Sequence, residues 1–228
     1  MRGPSLAVVF LAVAGIAGPA PAECGLPELP GVKMVHEGKA SINLTPVRFV
    51  VGAPATREGL APGPAALDRL ARKAGWKREC CEQGLPTARG EMALRRYRSG
   101  KCYLMQGLLP SSKMVLQALF DGIPEWAGKE GEVPGRDPAG IPRFGGSVRT
   151  LHVSGPGYEA AFYRADVRPR NLLAEAVERL GSGGWKARVM GGGTWITATR
   201  PGRPEAMIML RADGGKTVYI VMVTEEGI

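Results

Sequence analysis

The chain has 228 residues, with 30 Lys and Arg against 21 Asp and Glu, a formal charge of +9. Apolar residues make up 44% and charged residues 22%, with 33 Gly and 19 Pro but no Gly-X-Y period. That balance excludes a many-span membrane protein, a wholly disordered chain and collagen, and the length allows one large domain or two small ones.

The chain opens with Met1-Arg2, then an uncharged apolar run over residues 6–17, then Ala20-Pro21-Ala22. The run is shorter than the roughly 20 residues that span a bilayer, and the small-x-small end fits a signal-peptidase site. Residues 1–22 are therefore expected to be a signal peptide, with the mature chain starting at Glu23. That chain is expected to have no transmembrane anchor and to work in the periplasm or outside the cell. Glu23 and Pro21 stand where a lipidated Cys24 would need a small and a leucine-like residue.

Beyond the leader, one pattern occurs twice. Gly25-Leu26-Pro27 matches Gly140-Ile141-Pro142, and the run ending at His36 matches the run ending at His152. Gly75-Trp76-Lys77 matches Gly184-Trp185-Lys186. Residues 102–105 fall on 206–209, and residues 113–116 on 216–219. From the histidines onward the offset falls, from 116 to 103, as it does when loops shorten between unchanged elements.

Each copy begins with an extended lead-in that carries the histidine. An alternating strand follows, over 47–51 in the first copy and 159–165 in the second. Next comes a helix opened by proline. In the first copy Pro64 starts it, Leu67, Leu70, Ala71 and Ala74 form the apolar stripe, and Gly75 stops it. In the second copy Pro169, the stripe Leu172, Leu173, Ala176, Val177, Leu180, and Gly181 do the same. Strands over 185–190, 194–200, 205–211 and 217–224 then make a meander, with Asp213-Gly214-Gly215 as a hairpin turn. The expected fold class is α+β, as two tandem modules, each an antiparallel β-meander with one helix on one face. Module 1 covers 23–122 and module 2 covers 140–228. Residues 123–139, rich in Pro and Gly, read as a linker, with Trp126 tacking it to one module.

Cys24, Cys80, Cys81 and Cys102 all lie in the first copy, so the module can fold without them. An even count in an exported chain suggests disulfides, with three connectivities open. Cys80 and Cys81 point to opposite faces of a strand, so each suits a different partner. No C-x-x-C or ligand-spaced histidine suggests zinc. His36 and His152 occupy matching positions, either as strand-end structural residues or as the walls of a ligand cleft. Gly215-Lys216-Thr217 lacks the glycine of a phosphate loop, and no nucleophile motif or matched carboxylate pair occurs. No catalytic constellation and no cofactor are expected. Charge leaves one lead: Arg89, Arg95, Arg96, Arg98 and Lys101 gather around Tyr97, a candidate site for an anionic polymer. Alternation puts Arg95 and Tyr97 on one face, Arg96 and Arg98 on the other.

The second copy, through Ala161-Phe162-Tyr163, Pro169 to Leu180 and Gly184-Trp185, resembles modules of uncharacterised bacterial exported proteins. Their pattern is an aromatic strand, a Pro-started helix, a Gly-Trp and a β-meander. The first copy departs from it, with Arg48-Phe49 in place of the aromatic pair. The resemblance implies fold and compartment and no activity. The sequence therefore leads to an exported, non-enzymatic binding or structural protein of the cell envelope. Its partner would be an envelope protein or an anionic polymer, such as a nucleic acid or an envelope polysaccharide.

Overall fold

The structure, a computed structural model, describes residues 24–54, 63–79, 83–87, 90–109, 114–129 and 131–224. The expected signal peptide, Cys80, Cys81 and Arg89 lie outside them. The fold is mixed α+β, dominated by antiparallel strands with two α-helices. Among the described residues no helix is long and apolar enough to cross a membrane.

The strands are β1 (Val32–Ile42), β2 (Thr45–Pro54), β3 (Lys77–Arg78), β4 (Gln83–Thr87), β5 (Gly90–Ser99), β6 (Cys102–Leu109) and β7 (Met114–Phe120). Then come β8 (Val148–Gly155), β9 (Tyr158–Ala165), β10 (Lys186–Met190), β11 (Trp195–Thr199), β12 (Glu205–Asp213) and β13 (Lys216–Thr224). The helices are α1 (Pro64–Lys73) and α2 (Pro169–Ser182), each with proline in its first turn as expected. The histidine-bearing lead-ins are more regular than the sequence suggests, forming the full strands β1 and β8.

The chain divides into two compact units. The first comprises, of the described residues, 24–40 and 45–129; the second comprises 41–44 and those of 130–228. The boundary thus falls inside the Pro/Gly-rich run, after Lys129.

In the first unit the strand order is β1-β2-β7-β6-β5-β3, with β4 also on β5. Helix α1 lays Leu67 and Ala71 on one sheet face, over a core of Trp76, Tyr97, Cys102, Leu104 and Leu119. Its end is built locally: Gly75 takes φ +83°, and Trp76 N–H donates to the Ala71 carbonyl at 3.0 Å, turning the indole inward. Trp126 is buried in this unit, edge-on to Tyr103 and Phe120, and its indole N–H donates to Thr45 Oγ1 at 3.0 Å.

In the second unit the order is β8-β9-β13-β12-β11-β10. Residues 41 and 42 add to β8, with Ser41 opposite Ser154 and Ile42 opposite Val153. Helix α2 buries Leu172, Ala176 and Leu180 against Ala161, Tyr163, Ile196, Ile208, Tyr219 and Val221. The same ending recurs, with Gly184 at φ +76° and Trp185 N–H donating to the Leu180 carbonyl at 2.9 Å. Residues 131–146 pack on the same unit: Ile141 and Phe144 join the core. The turn between β1 and β2 uses Asn43 and Leu44, both at positive φ, the pattern of a type I′ hairpin.

Candidate functional site

The expected basic hairpin is β5 and β6, joined at Gly100 and Lys101. Its alternation divides the basic residues as the sequence implies, and burial then decides their roles. Tyr97 has no exposed surface, so it cannot stack on a ligand. Its hydroxyl donates to Asp68 Oδ1 at 2.9 Å, from beneath α1. Burial, then that bond, pushes the Tyr97 phenol up to about 12.

Asp68 is the centre of this arrangement. It sits on α1 beside Leu67, and its carboxylate is 10% exposed. Oδ2 accepts from Arg72 at 3.0 Å, one helical turn on, and from Arg78 at 3.2 Å. Arg95 Nη1 lies 4.0 Å from Oδ1 and also donates to the Pro64 carbonyl. Burial alone would raise the Asp68 carboxyl, but Tyr97, Arg72, Arg78 and Arg95 outweigh it and hold it below its ordinary value. One carboxylate thus gathers three guanidiniums.

On the opposite face of β5 the register sets Lys77 directly against Arg98. Both are exposed, as is Lys101 in the next turn, while Arg96 is half-buried. Arg98 Nε donates to the Gly100 carbonyl at 3.3 Å, and Glu79 N–H donates to the Arg96 carbonyl at the inner end of the patch. Like charges facing each other across two strands repel. β3 is also the last strand in its order, so this face is a sheet edge.

The two histidines have separate surroundings. His36 is half-buried, with its ring 5.4 Å from Phe49 and its Nε2 buried without a partner. His152 is wholly buried in the second unit, its Nε2 2.9 Å from Glu159 Oε1. Its backbone exchanges two 2.8 Å bonds with Asn43. Gly135 packs against its Cβ so closely that any side chain there would clash. His152 therefore offers no open surface to a ligand.

Beside it, Arg149 is 4% exposed and donates to the Val133 carbonyl, Asp137 and Glu132. Arg143 bonds the same two carboxylates, and Tyr163 donates to Asp137 at 2.8 Å. The Arg143 bond is the first cause holding Glu132 low. At Asp137 burial pushes upward but is outweighed by Arg143 and Tyr163. This network fastens residues 131–146 to the sheet.

Of the four cysteines, Cys24 and Cys102 form a disulfide with Cα atoms 5.9 Å apart, one of the three open connectivities. Among the described residues no group of three or more His, Cys, Asp or Glu could hold a metal ion. Sequence reasoning missed Asp68, Arg72, Arg78 and Lys77. Asp68 gave one usable signal, an acid placed directly after Leu67 on the apolar stripe with an arginine four residues later. No family model, curated protein or solved structure matches the chain.

Proposed function

We propose that this chain is an exported, non-enzymatic binding protein, built from two copies of one α+β module, whose first unit takes an anionic polymer on its basic edge. The leader pattern of residues 1–22 and the Cys24–Cys102 disulfide favour an oxidising compartment outside the cytoplasm. Duplication is supported by the two strand orders, which correspond position for position, and by the shared Pro-started helix and Gly-Trp ending. The likeness to uncharacterised bacterial exported modules agrees with both.

The observation that carries the binding reading is the Lys77–Arg98 pair, exposed and in direct register, with Lys101 beside it. A polyanion laid along β3 removes the repulsion between the two cations and gains two ion pairs. Burial of Tyr97 takes base or sugar stacking out of the interaction, so recognition rests on charge and spacing.

The test is binding of the mature, oxidised chain to heparin and to single-stranded DNA across a salt series. Affinity should fall steeply as salt rises. Lys77→Glu with Arg98→Glu should abolish retention, and Lys77→Gln with Arg98→Gln should flatten the salt slope by about one per cation. Equal retention of wild type and the double Glu variant would overturn the reading.

A further inference from the structure

A second surface of the first unit lies at the other end of its strand order, where β1 is the outermost strand. Of β1 only Ser41 and Ile42 pair with β8. Among the described residues, 32–40 therefore have β2 on one side and no strand on the other. Asn43 N–H donates to the His152 carbonyl, on the side turned toward β8. Backbone groups alternate sides along a strand, so the N–H and C=O of Lys33, Val35 and Glu37 point the same way, outward from the sheet edge. The side chains of these three residues are exposed, Val35 by 47%, as is Met34 between them by 53%.

At β3, β8 and β10 the sheet edges are blunted or closed. The charges of β3 are Lys77 and Arg78, and those of β10 are Lys186 and Arg188, so a second copy of either strand would meet like charge. β8 is covered by residues 41 and 42 and by Val133, whose N–H donates to the Arg149 carbonyl.

β1 carries both signs instead, in an order that complements its own reverse. Laid antiparallel on a second copy about a two-fold axis at Val35, it sets Lys33 opposite the partner's Glu37 and Glu37 opposite the partner's Lys33. Val35 meets its own counterpart, and Met34 meets the partner's His36. Each outward-facing pair exchanges both N–H···O bonds, with opposite charges across from each other. The neighbouring registers are worse. An axis at Met34 sets Lys33 against Val35 and forfeits both ion pairs. An axis at His36 sets Lys33 against Lys39, and one at Glu37 sets that carboxylate against itself. An axis at Gly38 needs Ser41, which β8 already holds. Glu37 also pairs with Arg48 of its own chain at 3.0 Å, and a carboxylate accepts from more than one cation.

We propose that the outer edge of β1 over residues 33–37 is a self-association site, where two copies of this chain pair antiparallel about Val35. The partner is a second copy because the charge pattern is its own complement under that two-fold. A strand pair of this length buries less than the roughly 1,200 Å² of a standard interface, so the dimer is weak and forms as concentration rises. Neither Lys77 nor Arg98 takes part in it.

Sedimentation equilibrium of the mature, oxidised chain at concentrations up to about 1 mM should show a monomer–dimer equilibrium. Over the same range, hydrogen exchange at the Lys33, Val35 and Glu37 amides should slow, while exchange at Met34 and His36, whose amides face β2, should not change. Val35→Pro removes the central outward N–H but spares the bonds to β2, and should abolish dimerisation. Lys33→Glu and Glu37→Lys should each weaken self-association by about tenfold, because each sets like charges opposite one another in both ion pairs. Mixed in equal amounts, these two variants should associate about as strongly as wild type, since every pair again joins opposite signs. A wild type that stays monomeric throughout would overturn the proposal. So would dimerisation of Val35→Pro equal to that of wild type, or exchange that slows elsewhere and not at the three outward amides. The Lys77→Glu, Arg98→Glu variant should dimerise as wild type does while losing polyanion binding, so failure at the basic edge and failure here are read separately.

Discussion

The two units order their strands alike but close their helix-covered faces by different means. Under α2 the second unit sets Ile208 against Val221 and Leu210 against Tyr219, and Phe144 covers the Tyr219 ring at 5.6 Å. Under α1 the first unit sets Leu104 against Leu119 but Gln106 against Gln117, and it places a carboxylate at the helix–sheet contact. The helices differ accordingly, 14 residues in the second unit against 10 in the first. What the first unit lacks in apolar packing it makes up with a covalent staple, since Cys24 and Leu26 join the core cluster through the bond to Cys102. One strand order therefore tolerates a polar interior when the denatured chain is constrained.

The largest expected effect follows from that contrast. The disulfide closes a 78-residue separation, and by loop entropy it stabilises the first unit by about 4–5 kcal/mol. Reduction, or Cys24→Ser with Cys102→Ser, should open the first unit while the second stays folded. Amide exchange resolves this: protection should drop in β5, β6 and β7 and persist in β12 and β13. A uniform fall across both units would show that they unfold as one.

The next effect concerns Asp68. Asp68→Asn keeps the shape but withdraws the charge that Arg72, Arg78 and Arg95 surround, and should cost about 2–4 kcal/mol. Because the folded carboxyl is held below its unfolded value, its contribution is fully present above about pH 4 and fades as pH falls through the folded value. Urea melts from neutral to acid pH should show wild type losing more stability below about pH 4 than the Asn variant. Parallel curves would mean that the Asp68 carboxylate is not stabilised by its partners.

Much of the second unit was legible in the sequence, because its helix keeps a clean apolar stripe and its turns carry Gly and Asp. Predicted strands over 205–211 and 217–224 meet observed β12 and β13 closely. The first unit read less well, for physical reasons. Its stabilising contacts are polar and long-range: Tyr97 reaches Asp68 from 29 residues away, and Arg95 reaches Pro64 from 31. Periodicity cannot report such pairs, because it marks which face a residue takes and not what lies across from it. The basic hairpin shows the limit plainly. Alternation divided Arg95 and Tyr97 from Arg96 and Arg98, but the burial of Tyr97 needed α1 above it. In residues 123–139 the Pro and Gly signalled a linker in which Trp126 alone was expected to pack, and composition gave no sign that Val133 and Pro138 are buried as well.

A smaller effect tests the apolar closure of the second unit. The Tyr219 hydroxyl accepts the Phe144 N–H at 3.0 Å and lies 2.6 Å from Ser147 Oγ, both in buried surroundings. Tyr219→Phe keeps the ring, stacked 4.8 Å from Tyr163, but leaves that amide unpaired. A loss of about 1–2 kcal/mol should follow, confined to the second unit. Exchange of the Phe144 amide should accelerate more than that of α2. Equal acceleration would locate the loss in the ring stack.

The smallest effect has the opposite sign and lies in the turn that closes β1 onto β2. Leu44 holds φ +64° with its side chain 57% exposed, so it carries the left-handed cost with little packing in return. Asn43 at φ +49° tolerates that region better, and its Oδ1 accepts the His152 N–H, so it is not open to the same exchange. Leu44→Gly produces the Asn-Gly pair favoured by a type I′ turn. Relief of the φ cost exceeds the entropy lost on fixing glycine, for a net gain of about 0.5–1 kcal/mol. The urea midpoint should rise without a change in slope. Because residues 41–44 belong to the second unit, where Ser41 and Ile42 pair with β8, the gain should appear in the second unit and leave the first unchanged.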